Sequence, residues 1–387
     1  MADILKILMM GGQRSGKSSM LAGLLETMLN GKVKELVTVE DMTARSGTGL
    51  DLSRNIRDLK LRLLMTQDKS FLIDDENNKT NAFSDYLLEF AVPGTSSRMQ
   101  MLFSDVNGEF YDKGQIHDTE ISKLIRECDV FLVAIDTPFL MEAVNPSNRL
   151  CNESINLSYN HVRDLEDFFT ELDDKDGADA KLVIFVPLKC EKWAKEPNGL
   201  NRVTQRVKEV FATHIKNLSA YAKMNITILP MLTAGNINFV EFHDAYIYNS
   251  IDGAKRCCKI DIDKVRTEFG DVEPMLPGET INEDSEAVIA GTNLMRPFSW
   301  YQITPGNNSY APRNCDQLPL HIIRFMLAKL IDAEENSYKG FFGSILKFLK
   351  TVFGTMDIDE LKRIIGNMQR NGVIKDKGDG IEIIKRF

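Results

Sequence analysis

The chain has 387 residues, enough for about two domains or one large domain with insertions. Hydrophobic residues make up 43% and charged residues 27%, the proportions of a folded globular chain, which excludes a collagen, a disulfide-stapled miniprotein and a disordered tail. Lysine and arginine number 47 against 56 aspartates and glutamates, a net charge of −9 that supplies no field for phosphate-backbone binding, so nucleic acid is not an expected partner.

Residues 4–10 (ILKILMM) form a short apolar run ended by Gly11 and Gly12, and from Lys17 the apolar positions Met20, Leu21, Leu24, Leu25 and Met28 recur at helical spacing. The pattern predicts strand, glycine loop, helix. The start lacks the basic residues and cleavage site of a signal peptide, and no run reaches about 18 uncharged apolar residues, so neither export nor a transmembrane helix is expected. Six cysteines with no Cys-x-x-Cys pair suit a reducing cytosol, which makes a cytoplasmic location the expectation.

Residues 52–65 have a helical pattern and 74–80 (DDENNKT) a charged loop. Residues 83–92 and 98–105 read as two strands joined by Pro93-Gly94-Thr95-Ser96, the turn chemistry of a hairpin. Residues 119–127 look helical, and 130–135 (VFLVAI) read as a buried strand ending at Asp136. Apolar runs at 181–187 and 226–232 flank helical stretches around 156–172 and 200–222. Strands alternating with helices imply an α/β fold: three layers with a mostly parallel sheet and one antiparallel hairpin strand.

Residues 236–317 hold five of the twelve prolines and no persistent period, and read as a long insertion in a domain spanning 1–335. An amphipathic helix is expected over 318–333. Residues 336–387 read as a small α+β appendage, with a helix over 357–370 and a hairpin over 372–387. Within it Phe341, Phe342, Ile345, Leu346, Phe348, Leu349, Val352 and Phe353 line one side of a short helix. Such a helix over 340–354 can lie on an anionic membrane, enter a partner's groove or cover the domain's own core. The sequence leaves all three open.

Gly11-Gly12-Gln13-Arg14-Ser15-Gly16-Lys17-Ser18 satisfies Gly-x4-Gly-Lys-Ser between a predicted strand and a predicted helix. Glycines let successive amides turn inward around phosphate, and the helix N-terminus adds positive potential. Lys17 would reach the β- and γ-phosphates and Ser18 would ligate magnesium. Asp105-Val106-Asn107-Gly108 closes the strand over 98–105, where the carboxylate would hold magnesium through water and the Gly108 amide would meet the γ-phosphate. Lys189-Cys190-Glu191 and Thr233-Ala234-Gly235 close the next two apolar runs that matter, so four loops follow strands at one end of the sheet.

In these motifs the chain resembles the Ras-like and dynamin-like P-loop GTPases of the TRAFAC class over roughly residues 4–333. That resemblance implies bound GTP or GDP with Mg2+ and hydrolysis to GDP and phosphate. The family reads guanine with Asn/Thr-Lys-x-Asp and a Ser-Ala loop, which Leu188-Lys189-Cys190-Glu191 and Thr233-Ala234-Gly235 match imperfectly. Glu191 is one methylene longer than aspartate and Leu188 lacks the usual polar tether. An NTPase without guanine specificity therefore stays open.

The loop through Ser18 and Ser19 has the spacing of the dynamins' Gly-Gly-Gln-x-x-Gly-Lys-Ser-Ser, which places Gln13 beside Lys17 among the catalytic candidates. Arg14 stands where guanylate-binding proteins and atlastins carry an internal arginine. An arginine finger is worth roughly 10³ to 10⁵ in rate, on the order of 4 to 7 kcal/mol. In such families paired G domains assist turnover, so a homodimer through this domain is implied. Glu109 occupies the place of the Ras-like water-orienting glutamine. A carboxylate accepts from water but cannot also donate to a phosphate, which implies slow intrinsic hydrolysis, or a nucleotide-gated scaffold with little turnover. Thr80 is the candidate magnesium-binding switch threonine, with Thr43 and Thr48 competing. Residues 312–327 are also similar to a segment of bacterial double-GTPase-like conflict and signalling proteins.

Overall fold

A computed structural model of the chain describes residues 4–12, 15–30, 38–43, 52–53, 56–57, 60, 70–72, 83–91, 98–106, 119–142, 157–165, 169, 180–249, 255–259, 282–283, 286–288, 296–303, 309–335, 370 and 374–386. Five strands run parallel through the middle of a nine-stranded sheet. In spatial order they are β5 (Arg98–Val106), β1 (Ile4–Met10), β6 (Val130–Asp136), β7 (Lys181–Leu188) and β8 (Met224–Ile228). Strands covered on both faces need apolar side chains at every position. The sequences VFLVAID and KLVIFVPL meet that demand and are buried almost throughout.

The two faces carry separate apolar clusters, and β6 alternates between them. Val130, Leu132 and Ala134 face one cluster with Met20 and Leu24 of α1 (Lys17–Asn30). Phe131, Val133 and Ile135 face the other with Val203, Phe211 and Leu218. Those three residues belong to α5 (Gly199–Val210), α6 (Ala212–Ala220) and the residue between them, so the one helix expected over 200–222 is two. Shorter helices lie between: α2 (Thr119–Glu127), α3 (Thr137–Met141) and α4 (Glu191–Ala194). The last long helix, α7 (Gln317–Glu335), packs with α1, where Cys315 and Pro312 sit so close to Gly23 that a Cβ there would meet Sγ at 2.9 Å. Lys329 of α7 reaches Asp129 at 2.8 Å, pinning that helix below β6.

The sheet departs from the expected single antiparallel hairpin at both edges. On one side β4 (Phe83–Ala91) pairs antiparallel with β5, and β2 (Thr38–Asp41) pairs antiparallel with β4. On the other side β15 (Ile381–Lys385) pairs antiparallel with β8 and carries β14 (Lys377–Gly378). The C-terminal hairpin, expected in an appendage, is thus the edge of the main sheet. Its Asp376 pairs with Arg324 of α7 and, at 2.6 Å, with Arg386, and its Gly380 carbonyl accepts from Thr204 of α5. The pairing is non-local, and only short-range turn signals were legible there. The amphipathic helix expected within 340–354 lies outside the described residues.

The stretch read as a loop-rich insertion contributes to a second sheet. Strands β9 (Ile237–Asn249) and β13 (Arg296–Ile303) pair antiparallel along most of their length, with β10 (Lys255–Lys259) also on β9. On β13 lies β3 (Ser70–Leu72), and the far edge is β12 (Glu286–Val288) with β11 (Asn282–Glu283). The partners come from distant parts of the chain, so no local period announces them. Among the described residues no helix is long and apolar enough to cross a membrane.

Ile381 tests the placement of the hairpin, because it is buried in the cluster that holds α1 and α7. Ile381→Ala should lower the unfolding free energy by about 2 to 5 kcal/mol. Urea denaturation showing a change within about 0.5 kcal/mol, the usual size of a surface effect, would put the hairpin outside the core.

Candidate functional site

The site is built where the central strands end. β1 runs straight into Gly11, whose φ of +132° is one that side chains rarely adopt, and a Cβ there would lie 2.4 Å from the Ala134 carbonyl oxygen of β6. Only glycine lets the chain turn this tightly against its neighbour. The turn delivers Lys17 to the first residue of α1, with its ammonium folded back over the loop. Nζ donates to the carbonyl oxygens of Gly11 at 2.7 Å and Gly12 at 3.1 Å, and lies 3.4 Å from Asp105 Oδ1. The side chain is only 7% exposed.

Asp105 arrives from β5, where it stands opposite Met9 in the parallel register with β1. Its Oδ1 is buried without a hydrogen-bond partner among the described residues. Burial pushes the carboxyl pKa above its ordinary value, and the Lys17 charge opposes that shift. Ser18 follows Lys17, and its Oγ lies 3.1 Å from the Tyr86 hydroxyl of β4. Burial likewise raises the Tyr86 pKa, with the Ser18 hydrogen bond opposing. Ser15 Oγ is buried in the same loop without a partner among the described residues.

This donor set fits magnesium. A hard cation takes oxygen ligands, and Mg2+ characteristically uses one or two protein groups with phosphates and waters completing its octahedron. Ser18 Oγ and the incompletely satisfied Asp105 carboxylate are such oxygens. Among the described residues there is no group of three or more His, Cys, Asp or Glu side chains that could hold a metal ion.

The two loops expected to read a base lie one and two strands further on. Lys189, after β7, has a φ of +60°, and its stem runs beside Gly16, where a Cβ would meet Lys189 Cε at 3.7 Å. Its Nζ is 2.5 Å from Asp136 Oδ2 at the end of β6. Asp136 Oδ1 is buried and unpartnered among the described residues, and burial raises this carboxyl's pKa against the pull of Lys189. Asn160 fixes the same corner: its Oδ1 accepts from the Asp136 amide at 2.8 Å, and its Nδ2 donates to the Asp136 carbonyl at 3.3 Å.

Glu191 opens α4 and turns toward the Thr233-Ala234-Gly235 loop. Its Oε1 accepts from the amides of Ala234 at 2.8 Å and Gly235 at 3.2 Å, while Oε2 is buried without a partner among the described residues. Desolvation raises its pKa and the backbone amides oppose. The two groups expected to read a base are therefore bonded to each other. Ala311 donates to the Ala234 carbonyl at 2.9 Å and closes the loop from the other side.

Lys17, Ser18, Asp105, Lys189, Glu191, Thr233 and Ala234 are thus gathered at the carboxyl ends of neighbouring strands, with Gly11, Gly12, Ser15, Gly16 and Ser19 in the loop and first turn between them. Gln13, Arg14, Thr48, Thr80, Gly108 and Glu109 lie outside the described residues. Thr43 is described, and its hydroxyl is taken up by β4, where it accepts from the Leu87 amide at 3.1 Å. Sequence reasoning missed Tyr86, Asp136 and Asn160. Asp136 had a signal, as a carboxylate ending an apolar strand, whereas Tyr86 looks in the sequence like any inward residue of an alternating strand.

The sequence matches no family model and no curated protein. Among solved structures the chain is similar to the LeoA bacterial dynamin GTPase from ETEC, at 14% identity and a TM-score of 0.28, over 60% of this chain and 30% of that one. The chain therefore spans about a third of the length of that relative. It is also similar to the S. cerevisiae Ski7 GTPase-like domain, at 10% identity over 79% of this chain and 72% of that one. The TM-score is 0.29 for the form bound to GTP and 0.27 for the form bound to GDP and inorganic phosphate.

Burial makes Glu191 easier to protonate in the folded chain than in the unfolded one, so the native state holds that proton to higher pH. Its contribution to stability is then greatest below the unfolded carboxylate pKa of about 4.3 and is lost as pH rises through the raised folded value. Glu191→Gln removes the titration. The stability of the wild type relative to that variant should therefore fall across this window, read from urea midpoints at a series of pH values. Parallel profiles for the two proteins would show that Glu191 ionises as freely in the fold as outside it.

Proposed function

We propose that this chain is a magnesium-dependent GTP-binding protein that hydrolyses GTP to GDP and phosphate, a P-loop GTPase of the Ras/dynamin-like class acting as a nucleotide switch or an oligomerising GTPase. The observation that carries the reading is the Lys17 ammonium, buried over the carbonyls of a glycine loop and only 3.4 Å from an unsatisfied Asp105 carboxylate. A lysine has three donors, and loop carbonyls take two of them. A terminal phosphate oxygen suits the third, and the amides at the start of α1 add the positive end of a helix.

Each side chain has a definite task in that scheme. Lys17 binds the β- and γ-phosphates and offsets charge gathering between them during transfer. Ser18 and Asp105 would hold magnesium, directly and through water. The bound ion would supply charge neutralisation at the phosphate oxygens. Lys189, braced by Asp136, covers the loop at Gly16 and presents its stem to a base. Arg14 and Gln13 are assigned to the transferring phosphoryl group, and Glu109 to the attacking water. The Glu109 carboxylate can accept from that water, and its charge next to the phosphate keeps turnover slow.

A second reading, an NTPase without guanine specificity, is favoured by the contact between Glu191 and the Ala234 amide. In that state neither group is open to a guanine edge. Guanine recognition would require Glu191 to leave the amides of Ala234 and Gly235.

Lys17→Ala should weaken triphosphate binding by roughly 10- to 150-fold, since the one charge-assisted hydrogen bond left for phosphate, of about 1.5 to 3 kcal/mol, is lost. Calorimetry with a folded variant that keeps wild-type affinity would remove the phosphate-loop assignment. For the base, GTP should outcompete ATP in equilibrium competition, and Glu191→Ala should erase the preference. Equal affinities in the wild type would leave phosphate recognition standing and make the chain an unspecific NTPase.

A further inference from the structure

We propose that Tyr86 is a positioning residue for Ser18, one that sets how tightly the site takes its magnesium ion; the inference rests on the phosphate-loop reading above. Tyr86 lies on β4 opposite Phe103 of β5, two places from the pair Ser84 and Asp105. Residues two apart on a strand share a face, so Tyr86 stands on the face of the sheet that carries the Asp105 carboxylate. Its ring is buried among the apolar side chains under α1, where phenylalanine would fill almost the same volume. What phenylalanine lacks is the hydroxyl, and that hydroxyl lies 3.1 Å from Ser18 Oγ.

A hydroxyl oxygen has one proton and two lone pairs. With Tyr86 as donor, one Ser18 lone pair is occupied, and the other is left for a cation while the serine proton turns toward an acceptor. The tyrosine thereby fixes the rotor of the ligand that the first turn of α1 leaves otherwise free to spin. It acts through Ser18 and never meets the phosphates itself. Loss of one neutral hydrogen bond changes an equilibrium by about 2- to 10-fold, which sets the size of the effect.

The test uses the full chain and a non-hydrolysable GTP analogue, with affinity measured by fluorescence at equilibrium, first in excess EDTA and then across a Mg2+ titration. Tyr86→Phe should leave the EDTA affinity within about twofold and raise the half-saturating Mg2+ concentration by about 2- to 10-fold. In a Ser18→Ala background the same substitution should have no further effect on the Mg2+ response, an outcome that a merely structural loss at β4 would not produce. A half-saturating concentration unchanged by Tyr86→Phe, or an effect that persists without the Ser18 hydroxyl, overturns this inference alone. A wild type that binds the analogue equally in EDTA and Mg2+, or not at all, overturns the phosphate-loop reading and this inference with it.

Discussion

The buried ammonium of Lys17 is the interaction around which the rest of the site is arranged. A lysine taken out of water costs several kcal/mol unless its charge and its donors are met. Here the turn after β1 supplies carbonyls for two of its three donors, and β5 supplies the Asp105 carboxylate against its charge. That meeting fixes the register of β1 against β5, because sliding either strand by one residue would turn Asp105 to the opposite face. It also requires the loop to press on β6 at Ala134, which is why Gly11 admits no side chain.

Asp105, Asp136 and Glu191 repeat one arrangement at the ends of successive strands. Each carboxylate is buried and faces a cation or amides, and each has an oxygen without a hydrogen bond among the described residues: in Asp136 and Glu191 the second oxygen, in Asp105 the Oδ1 that lies 3.4 Å from Lys17. Buried polar atoms without partners are few in folded proteins, and three acids on one rim of one sheet are not what packing alone would select. Burial raises the pKa of all three for the same reason, desolvation. Such a rim costs stability, and functional sites commonly break in this way the local rules that the rest of a fold obeys.

What the sequence made legible was what short range decides. Gly-x4-Gly-Lys-Ser lies within eight residues, and the buried strands β6 and β7 announce themselves by unbroken apolar runs, so the loop and the parallel middle of the sheet could be read directly. The second sheet could not, since β9 joins β13 some fifty residues away and β13 joins β3 across more than two hundred, and no period survives such separations. The C-terminal hairpin failed for the same reason: its turn was visible, but its pairing with β8 was not. Tyr86 shows a third limit. Alternation places it on the inner face, while the partner of its hydroxyl is set by where α1 begins.

The length of Glu191 has a structural consequence that the motif comparison misses. An aspartate at this place would be one methylene shorter, and the reach that brings Oε1 to 2.8 Å from the Ala234 amide would be lost. Glutamate thus ties the end of β7 to the loop after β8. That loop is tied again from behind: Leu232 pairs with Arg313, and Asn314 donates to the Pro230 carbonyl at 3.1 Å. Asn314 is also the neighbour of Lys375 at 3.4 Å, and Gln317 at the start of α7 accepts from the Lys375 amide at 2.9 Å. A continuous set of hydrogen bonds therefore runs from Glu191 through the 232–235 loop and the 311–317 segment into the C-terminal hairpin. The C-terminal hairpin is thereby joined by hydrogen bonds to the loop that holds Glu191, although it lies far from both the 232–235 loop and the 11–18 loop in sequence.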